Sequence, residues 1–182
     1  MKKTLFITHS AVIAAIYVVL SMLANALGLA SGAIQFRISE ALTILPVFTP
    51  AAIPGLTIGC IISNVLTGCT LIDIVFGSVA TLIGAIGTYL LRKSPFWLTP
   101  LPPIIANTVI VPLVLYFSIP GQSIPYLMLT VFIGEFVCCG ILGLLNYKVL
   151  EKSHMYAPKV KTEIAAESAA AENTQKANTE KK

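Results

Sequence analysis

Six side chains in this chain bring charge or amide chemistry into surroundings that are otherwise apolar: Arg37, Glu40, Asn64, Asp73, Asn107 and Glu135. A carboxylate can accept two parallel N–H bonds from an amidine-like edge. Three acids against one base leave a formal −2 if all ionise. Such a set suits a ligand that is cationic, rich in N–H donors, or both, and suits an anion poorly. Most of these residues also have a purely structural use. Arg37 and Glu40, three apart, have the spacing of a helical ion pair. Asp73 has the position of a helix cap, and the two asparagines could serve as hydrogen-bonding glue between helices. Glu135 is harder to place that way. It lies ten residues after Pro125, about 15 Å along a helix. An unpaired carboxylate at such depth in lipid costs several kcal/mol unless it is paired or protonated. No Lys or Arg stands at its level in the other apolar runs.

The elements that position these groups are membrane helices. The chain has 182 residues, 56% of them hydrophobic and 11% charged, against roughly 25% charged in soluble domains. Thr8 to Leu29 is an uncharged run of 22 residues, about 33 Å as a helix and enough to cross a hydrocarbon core. A signal peptide is the competing reading, with Lys2-Lys3 and Ala24-Asn25-Ala26 as its charged start and cleavage site, but such segments carry only about 7–15 apolar residues. A second span, Ser39 to Thr49, is short and ends at prolines, which predicts a half-length or tilted helix. Pro54 starts a third, which continues to Thr67 with Gly55, Gly59, Ser63 and Thr67 as a small-residue ridge for close packing. After a turn at Gly68 to Thr70, Asp73 opens a fourth span to Leu91, with Gly77, Thr81 and Ala85 on one face. The fifth follows Pro102-Pro103 to Phe117, interrupted by Asn107 and Pro112. A turn at Pro120-Gly121 leads to the sixth, Tyr126 to Val149, which holds Glu135.

The fold class is therefore an all-α integral membrane protein, a six-transmembrane-helix bundle over residues 1–157. Residues 158–182, rich in Ala, Glu, Lys, Asn and Thr, read as a disordered cytoplasmic tail. With both termini cytoplasmic, Lys2, Lys3, Arg92, Lys93, Lys148 and Lys152 fall inside and only Arg37 outside, a strong positive-inside bias. The polar groups would then converge on a cup that opens outward. In the first span, Ala11 and Ala15 form a small-xxx-small face on which another helix could pack, within the bundle or on a separate membrane subunit.

Several function classes have no residues to stand on. There is no G-x-x-x-x-G-K-[ST] to cradle ATP phosphates, no G-x-S-x-G and no H-E-x-x-H. His9 and His154 sit at opposite ends, and Cys60, Cys69, Cys138 and Cys139 read as small buried hydrophobes. No metal, resident cofactor or nucleic-acid partner is expected, and no enzyme activity.

The runs IQFRISEALTILPVF, AIPGLTIGCIISN, DIVFGSVATL, PPIIANTVIV and IGEF, in this order between residues 8 and 150, resemble the QueT family. Its members are substrate-binding (S) components of energy-coupling-factor (ECF) transporters, associated with queuosine precursors. The block from Arg37 to Asn64 carries the resemblance most specifically. It implies a six-helix bundle in the bacterial cell membrane that captures a small molecule from outside. The partners it implies are a transmembrane coupling subunit, docked through Ala11-x-x-x-Ala15, and two cytoplasmic ATPase subunits. The implied ligand is a 7-deazaguanine, with or without an aminomethyl arm, or queuine. On that resemblance Glu135 or Glu40 would grip the guanine-like edge and Asn107 and Asn64 would bond its remaining polar atoms. Asp73 would meet an amine arm, and Arg37 would orient Glu40 or bind a carbonyl oxygen. The alternatives are a cation-coupled secondary carrier using Glu135 and Asp73, and an S component for another vitamin.

Overall fold

The computed structural model describes residues 3–29, 35–118 and 121–152, which are helical apart from turns and short connections and contain no strand. The expected tail and the 157/158 boundary lie outside the described residues, as do Lys2 and Pro120. The first helix, α1 (Lys3–Ala26), has no proline or glycine to interrupt it. It buries only a narrow stripe, Ser10, Ile13, Ala14, Tyr17 and Ala24, while Val12, Ile16, Val19 and Leu23 stay exposed. A helix that is apolar all round yet mostly exposed is built to face lipid. It ends at Gly28, whose φ of 71° allows Leu29 N–H to donate back to Ala24 O at 3.0 Å.

The next element departs from ordinary helix. Ile38–Val47 is a ten-residue 3₁₀ helix with Pro46 inside it. At about 2.0 Å per residue it reaches some 20 Å, short of a hydrocarbon core of about 30 Å. The expected half-length helix is thus present, wound more tightly than an α-helix. It is buried along most of its length, with Ser39, Glu40, Ala41, Thr43 and Ile44 all inside.

α2 (Ala52–Leu66) begins with Pro54 in its first turn. Its glycines allow α1 to come very close: a Cβ on Gly55 would lie 2.8 Å from Ser10 O, and one on Gly59 2.8 Å from Tyr17 Cβ. The small-residue ridge thus packs against α1. α3 (Leu71–Leu90) starts in a capping box in which Thr70 and Asp73 satisfy each other's backbone N–H. Its Gly84 and Gly87 sit against Pro103 and Pro102 of α4 (Leu101–Ser118). α4 runs through Asn107 and Pro112 without a break, so the expected interruption does not occur; Pro112 is buried within the helix.

The last stretch is α5 (Ile124–Glu135), a π-helical segment Phe136–Leu142, and α6 (Gly143–Lys152). The π segment begins directly after Glu135 and buries Cys138, Cys139 and Gly140. Such wide turns break the regular ladder and re-aim the side chains around them.

Four helical stretches among the described residues are long and apolar enough to cross a membrane: Lys3–Ala26, Leu71–Lys93, Phe96–Phe117 and Ile124–Lys152. Ile38–Val47 and Ala52–Leu66 are apolar but shorter. The protein is a multi-pass helical membrane bundle in which two of the six anticipated spans are short pieces.

Candidate functional site

A cavity of about 260 Å³ opens where the C-terminal ends of α1 and α2 meet the N-terminal end of α3. Its walls include Tyr17 and Ser21 of α1, Arg37 and Ser39 at the head of the 3₁₀ helix, Asn64 of α2, and Asp73 and Gly77 of α3. Val111, Val114 and Leu115 of α4 supply an apolar wall. Three of the six residues singled out by sequence, Arg37, Asn64 and Asp73, line this cavity.

The rim groups are held largely by their own local structure. Asp73 Oδ2 accepts from Thr70 N–H at 3.2 Å and Thr70 Oγ1 at 2.6 Å, so it caps α3 while facing the cavity. Asn64 donates to Cys60 Sγ, one turn back on α2, at 3.6 Å. Gly77 makes room for both Asn64 and Arg37: a Cβ there would stand 3.2 Å from Asn64 Nδ2 and 3.9 Å from an Arg37 guanidinium nitrogen.

The other three residues form a second, buried tier. Glu40 is 0%, Asn107 1% and Glu135 5% exposed. They come from three separate elements, the 3₁₀ helix, α4 and the end of α5. Glu40, Glu135 and Cys139 each present a polar atom, all within 4.8 Å of one another. The two carboxylates that the sequence could only guess to be neighbours therefore share one site.

Each carboxylate is anchored through one oxygen. Glu40 Oε1 accepts from the Tyr17 phenol and from Thr81 Oγ1 at 3.4 Å. Glu135 Oε2 accepts from Cys139 Sγ at 3.0 Å, one turn further along in the π segment. The backbone carbonyl of Glu40 is fixed by Thr43 Oγ1 at 2.6 Å. The anchor of Glu40 is therefore a pair of hydroxyls rather than the Arg37 ion pair that the sequence spacing suggested, although Arg37 lies near enough to act on both carboxylates. The Asn107 amide adjoins both carboxylates. Among the described residues, Glu40 Oε2 and both polar atoms of Asn107 lack a hydrogen-bond partner of ordinary geometry.

The two carboxylates and the amide form a buried, low-dielectric floor that is not itself part of the cavity wall. Tyr17, which lines the cavity and bonds Glu40, links the two, and Arg37 stands in the wall. Such a floor rewards N–H donors or positive charge. The Glu40–Glu135–Cys139 spacing is also one that a cation could bridge, a cluster the sequence reading did not foresee.

Tyr17, Thr81, Thr43 and Cys139 were missed as site residues. Two of them carried a signal: Thr81 lies on the Gly77–Thr81–Ala85 face already noted, and Cys139 follows Glu135 by four residues. All four cysteines are free thiols. Ala11 and Ala15 lie exposed on α1, on the side away from buried Tyr17.

The family model described as the QueT transporter matches residues 7–152. The chain belongs to the QueT transporter family. A curated relative, the "Queuosine precursor transporter QueT" of Lactococcus lactis subsp. cremoris (strain MG1363), is 41% identical over 81 residues, covering 44% of this chain. The chain spans about half the length of that relative, 47% of it. No solved structure matches. Both tiers of the site fall within the stretch matched by the QueT family.

Proposed function

We propose that this QueT-family protein is the substrate-binding S component of an ECF importer and that it captures a queuosine precursor, a 7-deazaguanine. The observation that carries this reading is the floor of the site: two buried carboxylates with an amide beside them, and with one carboxylate oxygen and both amide atoms unpartnered. A guanine-like edge presents N–H donors next to a carbonyl oxygen, the complement of that set. Glu135 and Glu40 take the donors, while Asn107, with Asn64 above it, takes the remaining polar atoms. Asp73 at the rim meets a cationic aminomethyl arm, and Arg37 balances the charge of the floor or bonds the ligand carbonyl. At about 260 Å³ the cavity sits just below the usual range of roughly 300–1,000 Å³ for ligand pockets, a size suited to one small bicyclic ring system. The name of the Lactococcus relative points to the same ligand class.

The rest of the reading follows the family resemblance. The bundle lies in a bacterial cell membrane with six spans, the 3₁₀ helix and α2 counting as the short ones, and with both termini cytoplasmic. Its cavity faces outward. The exposed Ala11 and Ala15 dock the transmembrane coupling subunit, and two ATPase subunits supply the energy. Calorimetry on the purified chain with 7-aminomethyl-7-deazaguanine, 7-deazaguanine, queuine, thiamine, riboflavin and biotin tests the ligand assignment. Selective binding of the deazaguanines is expected, and a preference for another vitamin reassigns the ligand.

A second reading, a cation-coupled carrier, draws on the cation-compatible spacing of Glu40, Glu135 and Cys139. Uptake by the chain alone in liposomes, driven by an ion or pH gradient without any ATPase, would decide for it.

A further inference from the structure

Tyr17 belongs to both tiers of the site. It lines the cavity, yet it is 1% exposed and its phenol donates to Glu40 Oε1 in the buried tier. Its base is clamped, since Gly59 of α2 approaches so closely that an added Cβ would lie 2.8 Å from Tyr17 Cβ. A ring pinned at its root has few rotamers open to it, so the phenol is delivered to one place. That place is Oε1, which Thr81 also approaches at 3.4 Å. The opposite oxygen, Oε2, and both atoms of the Asn107 amide make no hydrogen bond of ordinary geometry, although the amide lies close enough to both carboxylates to interact with them at poorer geometry.

We infer that Tyr17 is a specificity-setting positioning residue: by holding Oε1 it reserves Glu40 Oε2, together with the Asn107 amide, for the ligand. This rests on the reading of the site as a deazaguanine receptor. The reserved set is one carboxylate acceptor, one amide acceptor and one amide donor. Its complement is a planar edge that carries N–H donors beside a carbonyl, as in an amino-lactam. A ligand that keeps the lactam but lacks the exocyclic amine gains little from correct presentation of Oε2. Tyr17 therefore acts on discrimination between ligands and adds no contact of its own with the distinguishing group.

The experiment measures binding of 7-aminomethyl-7-deazaguanine and of its analogue without the exocyclic amine. The proteins are the full chain and its Tyr17→Phe, Glu40→Gln and doubly substituted variants in detergent or nanodiscs. The wild type is expected to prefer the amino-lactam. Tyr17→Phe should weaken the amino-lactam about tenfold, the scale of one well-formed hydrogen bond, and the analogue less than about twofold. In the Glu40→Gln background the same change should cost nothing further, because the group being positioned has already lost its charge. Equal loss on both ligands, or full additivity with Glu40→Gln, would overturn the inference and leave the deazaguanine reading standing. No binding of either ligand by the wild type would overturn both. If Tyr17→Phe does not hold its fold, Thr81→Val probes the same oxygen: about threefold loss confined to the amino-lactam supports the inference, and equal loss on both ligands overturns it.

Discussion

The rim and the floor of the site hold three sequence-chosen residues each. Glu40 and Asn107 of the floor are built in the opposite way to the rim, while Glu135, bonded to Cys139 one turn on, is held locally. On the rim, Asp73 is satisfied by Thr70 three residues away, and Asn64 bonds to Cys60 on its own helix. On the floor, Glu40 is anchored by Tyr17 and Thr81, residues 23 and 41 positions away. The Asn107 amide there has no partner of ordinary geometry among the described residues. Groups satisfied locally gain little from a ligand. Buried groups with unpartnered atoms gain much, because desolvation has already been incurred and a matching donor recovers it. The rim should therefore tune affinity, and the floor should decide what binds.

The largest effect is expected at Glu135, which is held locally by Cys139 at one oxygen but is buried beside Glu40. Replacing it by Gln removes a charge-assisted acceptor from a buried floor and should weaken binding of 7-aminomethyl-7-deazaguanine by on the order of 100-fold, equivalent to about 2–3 kcal/mol. Calorimetry on the purified variant checks this, and unchanged binding would end the carboxylate assignment. A middle-sized effect is expected in the cavity wall, where Gly77 makes room for Asn64 and Arg37. Gly77→Val puts a side chain where a Cβ alone would stand 3.2 Å from Asn64 Nδ2. Affinity should fall roughly tenfold for every deazaguanine, through displaced Asn64 and a smaller cavity. A change in the rank order of ligands would place selectivity on the rim instead. The smallest effects belong to the rim itself. Asp73→Asn should cost an amine-armed deazaguanine about fivefold, on the scale of a partly exposed ion pair, and should leave the armless ring unaffected. Thr70→Ala, which removes the other half of the capping box, should lower stability by about 1 kcal/mol with binding within twofold. Thermal unfolding followed by circular dichroism, read beside the titrations, separates the two.

Membrane character, six apolar bodies, and the small-residue ridge on α2 were all legible from composition and spacing. The spacing also singled out six polar residues, three of which line the cavity and three of which are buried together beside it, because charged and amide groups are too costly in apolar helices to be numerous. The winding of two elements was not legible. A run such as Ile38–Val47 has no residue pattern that separates 3₁₀ from α, and nothing in Phe136–Leu142 marks a π segment, because those hydrogen-bond registers are chosen by what packs against the helix. Tyr17 escaped notice because a tyrosine within an aliphatic run looks the same whether it faces lipid or a carboxylate.

What the sequence determined by itself was the scarcity of its polar groups, since transfer cost depends on local chemistry alone. Only the tertiary structure decided that Glu40 and Glu135 share one floor, that Tyr17 and Cys139 each hold one of their oxygens, and that Asp73 remains at the rim. Those outcomes depend on how each helix is rotated about its axis and how closely glycines such as Gly55, Gly59 and Gly77 let neighbouring groups approach. Rotation and approach are set by contacts between segments far apart in the chain, which spacing within one segment does not encode.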